Sequence, residues 1–104
     1  MAYVFAYITT PTIEEARRIG KAAVEAKLAA CANILPQMES IYHWAGKTEE
    51  SKECVLLLKT KDKMFDRLKD FVLSTHSYDC PCVVALPITQ GAAPYFEWLE
   101  NSLK

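Results

Sequence analysis

Apolar positions along the chain follow two periods. Residues 2 to 8 (AYVFAYI) are aromatic and β-branched, which predicts a strand over Ala2 to Ile8. Pro11 and Thr12 end it. Thr12 followed by Glu15 is the pattern of a capping box, and Glu14 and Glu15 put negative charge into a first helical turn. Ile13, Ala16, Ile19, Ala23 and Leu28 then recur at helical spacing, with Arg17, Arg18, Lys21 and Glu25 mostly on other faces. Ala29 to Tyr42 reads as extended again, with a bend or edge position at Pro36. Ala45-Gly46-Lys47 reads as a turn and Glu53 to Thr60 as a strand, so residues 40–60 form a long hairpin. The mixed charges of Lys47, Glu49, Glu50, Lys52 and Glu53 suit a solvated loop. Met64, Leu68, Phe71 and Val72 predict a second helix over 62–75. Pro81 to Ile88 is a fourth strand. Gly91 breaks it, and Pro94 to Leu103 suits a terminal helix with Tyr95, Trp98 and Leu99 on its packed side.

The order β-α-β-β-α-β plus a helix points to one α+β domain over residues 1–104, best matched by the ferredoxin-like sandwich. Its two helices cover one face of a four-stranded sheet. A half-solvated strand alternates apolar with polar residues, and three strands here do not. Tyr3, Phe5 and Tyr7 oppose Val4, Ala6 and Ile8. Cys54, Leu56 and Leu58 oppose Val55 and Leu57, and Val84, Leu86 and Ile88 oppose Val83 and Ala85. At roughly 25 cal/mol per Å2, a wet second face forfeits several kcal/mol. Self-association through that face resolves the conflict.

Composition narrows the function. Lys and Arg total 12 and Asp and Glu 13, which leaves no basic footprint for nucleic acid. No apolar run is long enough to span a membrane. The opening residues MAYVFAYITT lack a positive n-region, so they read as a strand of a cytoplasmic protein. In that compartment Cys31, Cys54, Cys80 and Cys82 stay reduced. Glycine-rich nucleotide loops, HExxH and nucleophile elbows are missing, so no organic cofactor and no catalytic residue is assigned.

The densest chemistry is HSYDCPCVVALPI, residues 76–88. His76, Cys80 and Cys82 are ligand types for Cu(I) or another soft or divalent metal. The same residues also suit a helix end followed by a packed strand start. His76 with Asp79 is a candidate proton-transfer pair. Tyr42, Trp44, Tyr78 and Trp98 are candidates for a ligand platform or an interface.

Three stretches, AKLAACANILP (26–36), SIYHWAGKTEE (40–50) and LLLKTK (56–61) with HSYDCPCVVALPI, together resemble the CutA family of divalent-cation tolerance proteins. The resemblance runs from the first strand to Trp98. It implies a ferredoxin-like fold in a tight homotrimer, similar in architecture to the PII signalling proteins, and a role in the response to metal ions named from copper sensitivity. Cys31, Tyr42, Trp44, Gly46, Lys59, His76, Tyr78, Pro81 and Trp98 match the family pattern. Ser77, Asp79, Cys80 and Cys82 depart from it. Of the copper ligands proposed for some members, two positions read Ile8 and Thr75 here, and only His76 remains.

Overall fold

The computed structural model of the chain describes residues 2–104. The elements run β1 (Tyr3–Thr10), α1 (Ile13–Glu25), β2 (Cys31–Trp44), β3 (Lys47–Lys61), a 3-10 turn (Asp62–Met64), α2 (Phe65–Thr75), β4 (Val83–Ile88) and α3 (Ala93–Ser102). The sheet order is β2-β3-β1-β4, and every neighbouring pair is antiparallel. This is the α+β, ferredoxin-like sandwich with an added C-terminal helix.

Alternation along β1 decides which side chains meet the helices. Val4, Ala6, Ile8 and Thr10 are buried, while Tyr3, Phe5 and Tyr7 are half-buried. Register carries the same division across the sheet, because Ala6 lies opposite Leu58 and Ala85, and Phe5 opposite Lys59 and Leu86. Ala6, Ile8, Leu56 and Leu58 pack with Ala16, Ile19 and Ala23 of α1 and Leu68 and Val72 of α2. Gly20 lets α1 approach the sheet, since a Cβ there would sit 3.1 Å from both Ala32 Cβ and Leu56 Cδ1. Helix α1 closes in a Schellman motif. The Leu28 N–H reaches Ala23 O at 3.0 Å and the Lys27 N–H reaches Val24 O at 3.0 Å. That closure holds Lys27 at a φ of 59°, which favours glycine. Every buried side-chain nitrogen and oxygen among the described residues has a hydrogen-bond partner.

Helix α3 covers part of the opposite face at one end. Phe96 stacks on Tyr3 with ring centroids 4.7 Å apart. Glu100 accepts the Tyr3 hydroxyl at 3.0 Å and pairs with Lys61 at 3.0 Å. The Lys61 bond holds the Glu100 carboxyl below its ordinary pKa. Beyond α3, Leu35, Val84 and Leu86 lie open to solvent on this face of the single chain.

Several expectations shift. The hairpin spans residues 31–61 rather than 40–60, because β2 and β3 run past the core as a long arm. Residues 47–53 pair with β2 throughout. Their polarity reflects an arm that stands away from the core, not a loop. Pro36 sits in the register break between Leu35 and Met38. The turn itself is Ala45-Gly46, with φ of 52° and 78°, the two positive values that a tight two-residue hairpin requires. Tyr95 and Trp98 do not face the core. Both are exposed, and only Leu99 of that trio is fully buried. Of the cysteines, Cys31 is half-buried, while Cys54 is buried and donates its thiol to Pro36 O at 3.2 Å.

Candidate functional site

The site lies where the arm of β2 and β3 overhangs the segment between α2 and β4. Residues 77–82 run without regular structure beneath the arm. Between them opens a cavity of about 850 Å3 on the sheet face that α1 and α2 leave uncovered. Tyr7 and Thr9 of β1 supply its floor. Met38, Tyr42 and Trp44 come from β2, Glu53 from β3, and Tyr78, Asp79, Cys80 and Cys82 from the connecting segment. Met38, Tyr42 and Trp44 share one side of β2, and Glu39 and Ile41 of its other side also border the cavity.

Two hydrogen bonds fix the cavity wall. The Tyr7 hydroxyl donates to Met38 Sδ at 3.4 Å, and the Tyr78 hydroxyl donates to Glu53 Oε2 at 3.0 Å. Burial, followed by the Glu53 carboxylate, pushes the Tyr78 phenol above its ordinary pKa, so Tyr78 remains a neutral donor. Burial, and then Glu53, also raise the Cys82 thiol. Cys80 and Cys82 are both exposed to the cavity and both free.

His76 has a different task. Its side chain is fully buried. Nε2 lies 2.8 Å from the Thr9 carbonyl, so it donates. Nδ1 lies 3.0 Å from the Tyr78 N–H, so it accepts. Those two bonds define the tautomer of a neutral ring and occupy both nitrogens. His76 thus ties β1 to the start of the 77–82 segment. It does not join Cys80 and Cys82, and no group of three or more His, Cys, Asp or Glu among the described residues could hold a metal ion. The expected three-ligand set is not assembled within one chain. The proposed partnership of His76 with Asp79 does not form either. The carboxylate beside the ring is Glu15, whose Oε2 stands 3.3 Å from Nδ1, while Asp79 lines the cavity.

Glu15 leaves the capping box half made. The Glu15 N–H bonds to Thr12 Oγ1 at 3.2 Å, as the motif requires. Its carboxylate instead reaches across to accept the Ser77 N–H at 2.9 Å. Burial alone would raise its pKa. The hydrogen bonds of Ser77 and the charge of Arg18 outweigh that and lower it. Because the folded value lies below the unfolded one, Glu15 stabilises the fold above its unfolded pKa, and that contribution is lost as pH falls through the folded value. Glu15→Gln is therefore expected to cost on the order of 1 kcal/mol near neutral pH. The gap to the native protein should close on acidification to about pH 3. Urea denaturation midpoints at both pH values check this. A gap that widens toward acid reverses the sign and rejects it.

Of the aromatic candidates, Tyr42, Trp44 and Tyr78 meet at the cavity. Trp98 does not. It sits on α3 with its ring 5.5 Å from that of Tyr95. Sequence reasoning passed over Tyr7, Met38 and Glu53 as parts of this site. The alternation of β1 pointed Tyr7 to the uncovered face, but nothing in the sequence showed the arm folding over it.

Comparison with known proteins agrees with this architecture. Residues 4–102 match the family model described as CutA1 divalent ion tolerance protein. The divalent-cation tolerance protein CutA of Archaeoglobus fulgidus is 41% identical over 100 residues, covering 96% of this chain and 97% of that protein. Protein CutA of Homo sapiens is 45% identical over 96 residues. The chain spans only about half the length of the human protein and of a chloroplastic Arabidopsis thaliana relative, 54% and 56%. Among solved structures, the periplasmic divalent cation tolerance protein CutA from Archaeoglobus fulgidus superposes with a TM-score of 0.95 at 39% identity, covering 98% of this chain and 99% of that one. CutA1 from Oryza sativa also gives 0.95, at 41% identity, covering 98% of this chain and 94% of that one. With matched residues from β1 to α3, and the same fold in structures that share four residues in ten, the chain belongs to the CutA1 divalent ion tolerance family.

Proposed function

We propose that the protein serves in tolerance of divalent and heavy metals, copper included, as a cytoplasmic homotrimer. It takes up a soft metal ion or a small ligand where subunits meet, and it is not an enzyme. The observation that carries this reading is the cavity itself, which holds the thiols of Cys80 and Cys82 together with the thioether of Met38. Thiolate and thioether sulfur favour Cu(I) and disfavour hard cations such as Mg2+. One chain offers too few ligands to close a coordination sphere, so water or a neighbouring copy completes it. His76 acts here as a positioning residue, through its bond to the Tyr78 backbone. The four free cysteines suit a reducing compartment, and no described helix is long and apolar enough to cross a membrane. The uncovered apolar face supports association. A purely structural assembly is the competing reading, favoured by the lack of any three-ligand group among the described residues.

An anaerobic Cu(I) competition titration separates the two. The native protein is expected to bind copper at least about ten-fold more tightly than the Cys80→Ser/Cys82→Ser variant. Binding should weaken on acidification as the thiolates take up protons, and sooner for the raised Cys82 thiol. Equal uptake by both proteins would favour the structural reading.

A further inference from the structure

We infer that His76 is a pH-sensitive latch, which on protonation exchanges the Tyr78 N–H for the Glu15 carboxylate and so frees the start of the 77–82 segment. The inference goes beyond the reading of the thiols and needs no bound ligand.

The latch is built within one chain. The imidazole is already fully buried there, so its contacts do not depend on a second copy. Nε2 donates to the Thr9 carbonyl at 2.8 Å, and Nδ1 accepts the Tyr78 N–H at 3.0 Å. A neutral ring offers one donor and one acceptor, and both are spent. A second proton can enter only at Nδ1. It takes the lone pair that the Tyr78 N–H uses and sets two hydrogens against each other, so the Tyr78 amide must turn away. The new Nδ1–H has an acceptor in place, because Glu15 Oε2 stands 3.3 Å from Nδ1. The bond to Thr9 is the same in both states. β1 thus holds the ring while the bond to the segment is exchanged.

A buried imidazolium needs a charged partner. Burial raises the Glu15 carboxyl, but the Ser77 hydrogen bonds and Arg18 together hold it below its ordinary pKa, so it meets the ring as an anion. Arg18 itself is turned to the Thr75 carbonyl, 3.1 Å away. On the other side the Tyr78 ring tilts against the imidazole with centroids 4.8 Å apart, and an aromatic ring attracts a cation. Behind it, Glu53 accepts the Tyr78 hydroxyl at 3.0 Å. Asp79, the remaining charge of the segment, lines the cavity. β1 carries no Asp, Glu, Lys or Arg, and the last charged residue of α2 is Asp70, about two turns before His76.

The test is a titration of the isotope-labelled full chain from about pH 8 to about pH 5, the range in which histidine side chains change charge, followed by NMR. His43→Gln tells the two histidine rings apart. At the start His76 should show the Nε2–H tautomer. As the ring protonates, the Tyr78 amide signal should move with the same midpoint, and its protection against hydrogen exchange should fall about ten-fold or more. The Ser77 amide, which keeps its bond to Glu15, should retain its protection. Glu15→Gln leaves an acceptor for Ser77 but removes the charge, and about ten-fold more acid should then be needed to protonate the ring. If that variant fails to fold, the native titration carries the test alone. A ring still neutral at the acid end, an Nδ1–H tautomer at the start, or a Tyr78 amide that does not respond as the ring protonates overturns the inference. So does a folded Glu15→Gln protein whose ring protonates as readily as the native one.

Discussion

Val84→Lys is expected to yield an 11.7 kDa species in size exclusion with light scattering, under conditions where the native protein runs as the trimer proposed above. Val84 lies on edge strand β4 opposite Tyr7, on the face away from α1 and α2, and is 49% exposed in the single chain. Leu35 and Leu86 on the same face are 53% and 38% exposed. Such a face loses its apolar surface to water unless another copy covers it. A lysine in that position must be desolvated without a partner whenever two copies meet, a cost of several kcal/mol repeated in each subunit. Within the single chain the ammonium points into solvent, so the circular dichroism of the variant should match the native protein. An assembly that survives Val84→Lys would move the interface elsewhere. A native protein that is already monomeric at micromolar concentration would end the association reading.

Leu56→Ala should produce the largest loss of stability of any single truncation discussed, about 3–4 kcal/mol in denaturant unfolding at fixed protein concentration. Leu56 is fully buried between Ile8 and Ile34 on the helix-facing side of the sheet. It also lies directly beneath Gly20, where a Cβ would stand 3.1 Å from Leu56 Cδ1. This contact predicts a sign for coupling. Gly20→Ala forces a close contact in the native protein, and part of that contact disappears once Leu56 is alanine. Gly20→Ala should therefore destabilise the Leu56→Ala background less than the native one. Strict additivity of the two changes would mean that the helix and sheet can shift apart at no cost, contrary to the packing described.

The strand and helix order was legible because burial imposes periodicity. Ile13, Ala16, Ile19 and Ala23 could only suit a helix face, and Val4, Ala6 and Ile8 only a strand face. The two-sided apolar character of β1, β3 and β4 was equally visible. The arm was not. Residues 47–53 carry little apolar alternation because their faces meet solvent or the cavity rather than the core, so polarity suggested a loop where a ladder runs. For the site, sequence proximity misled. His76, Cys80 and Cys82 stand close in number, yet backbone groups from Thr9 and Tyr78 capture the imidazole. Glu53 and Met38 reach the cavity from strands far away in sequence. The role of Glu15 was half visible, since its backbone obeys the capping motif while its side chain answers to Ser77.

The position of β1 in the sheet has a consequence for synthesis. It lies between β3 and β4, and its partners are residues 54–61 and 83–88. The strand made first is thus the one whose hydrogen-bonding edges are satisfied last. While the ribosome adds roughly 5–20 residues per second, AYVFAYI must wait for most of the chain with both edges unpaired. Meanwhile β2 and β3, joined by a two-residue turn, can zip together on their own. A nascent chain stalled before β4 would therefore present the aromatic strand with its β4 edge unpaired, and this length should be one that holding chaperones engage.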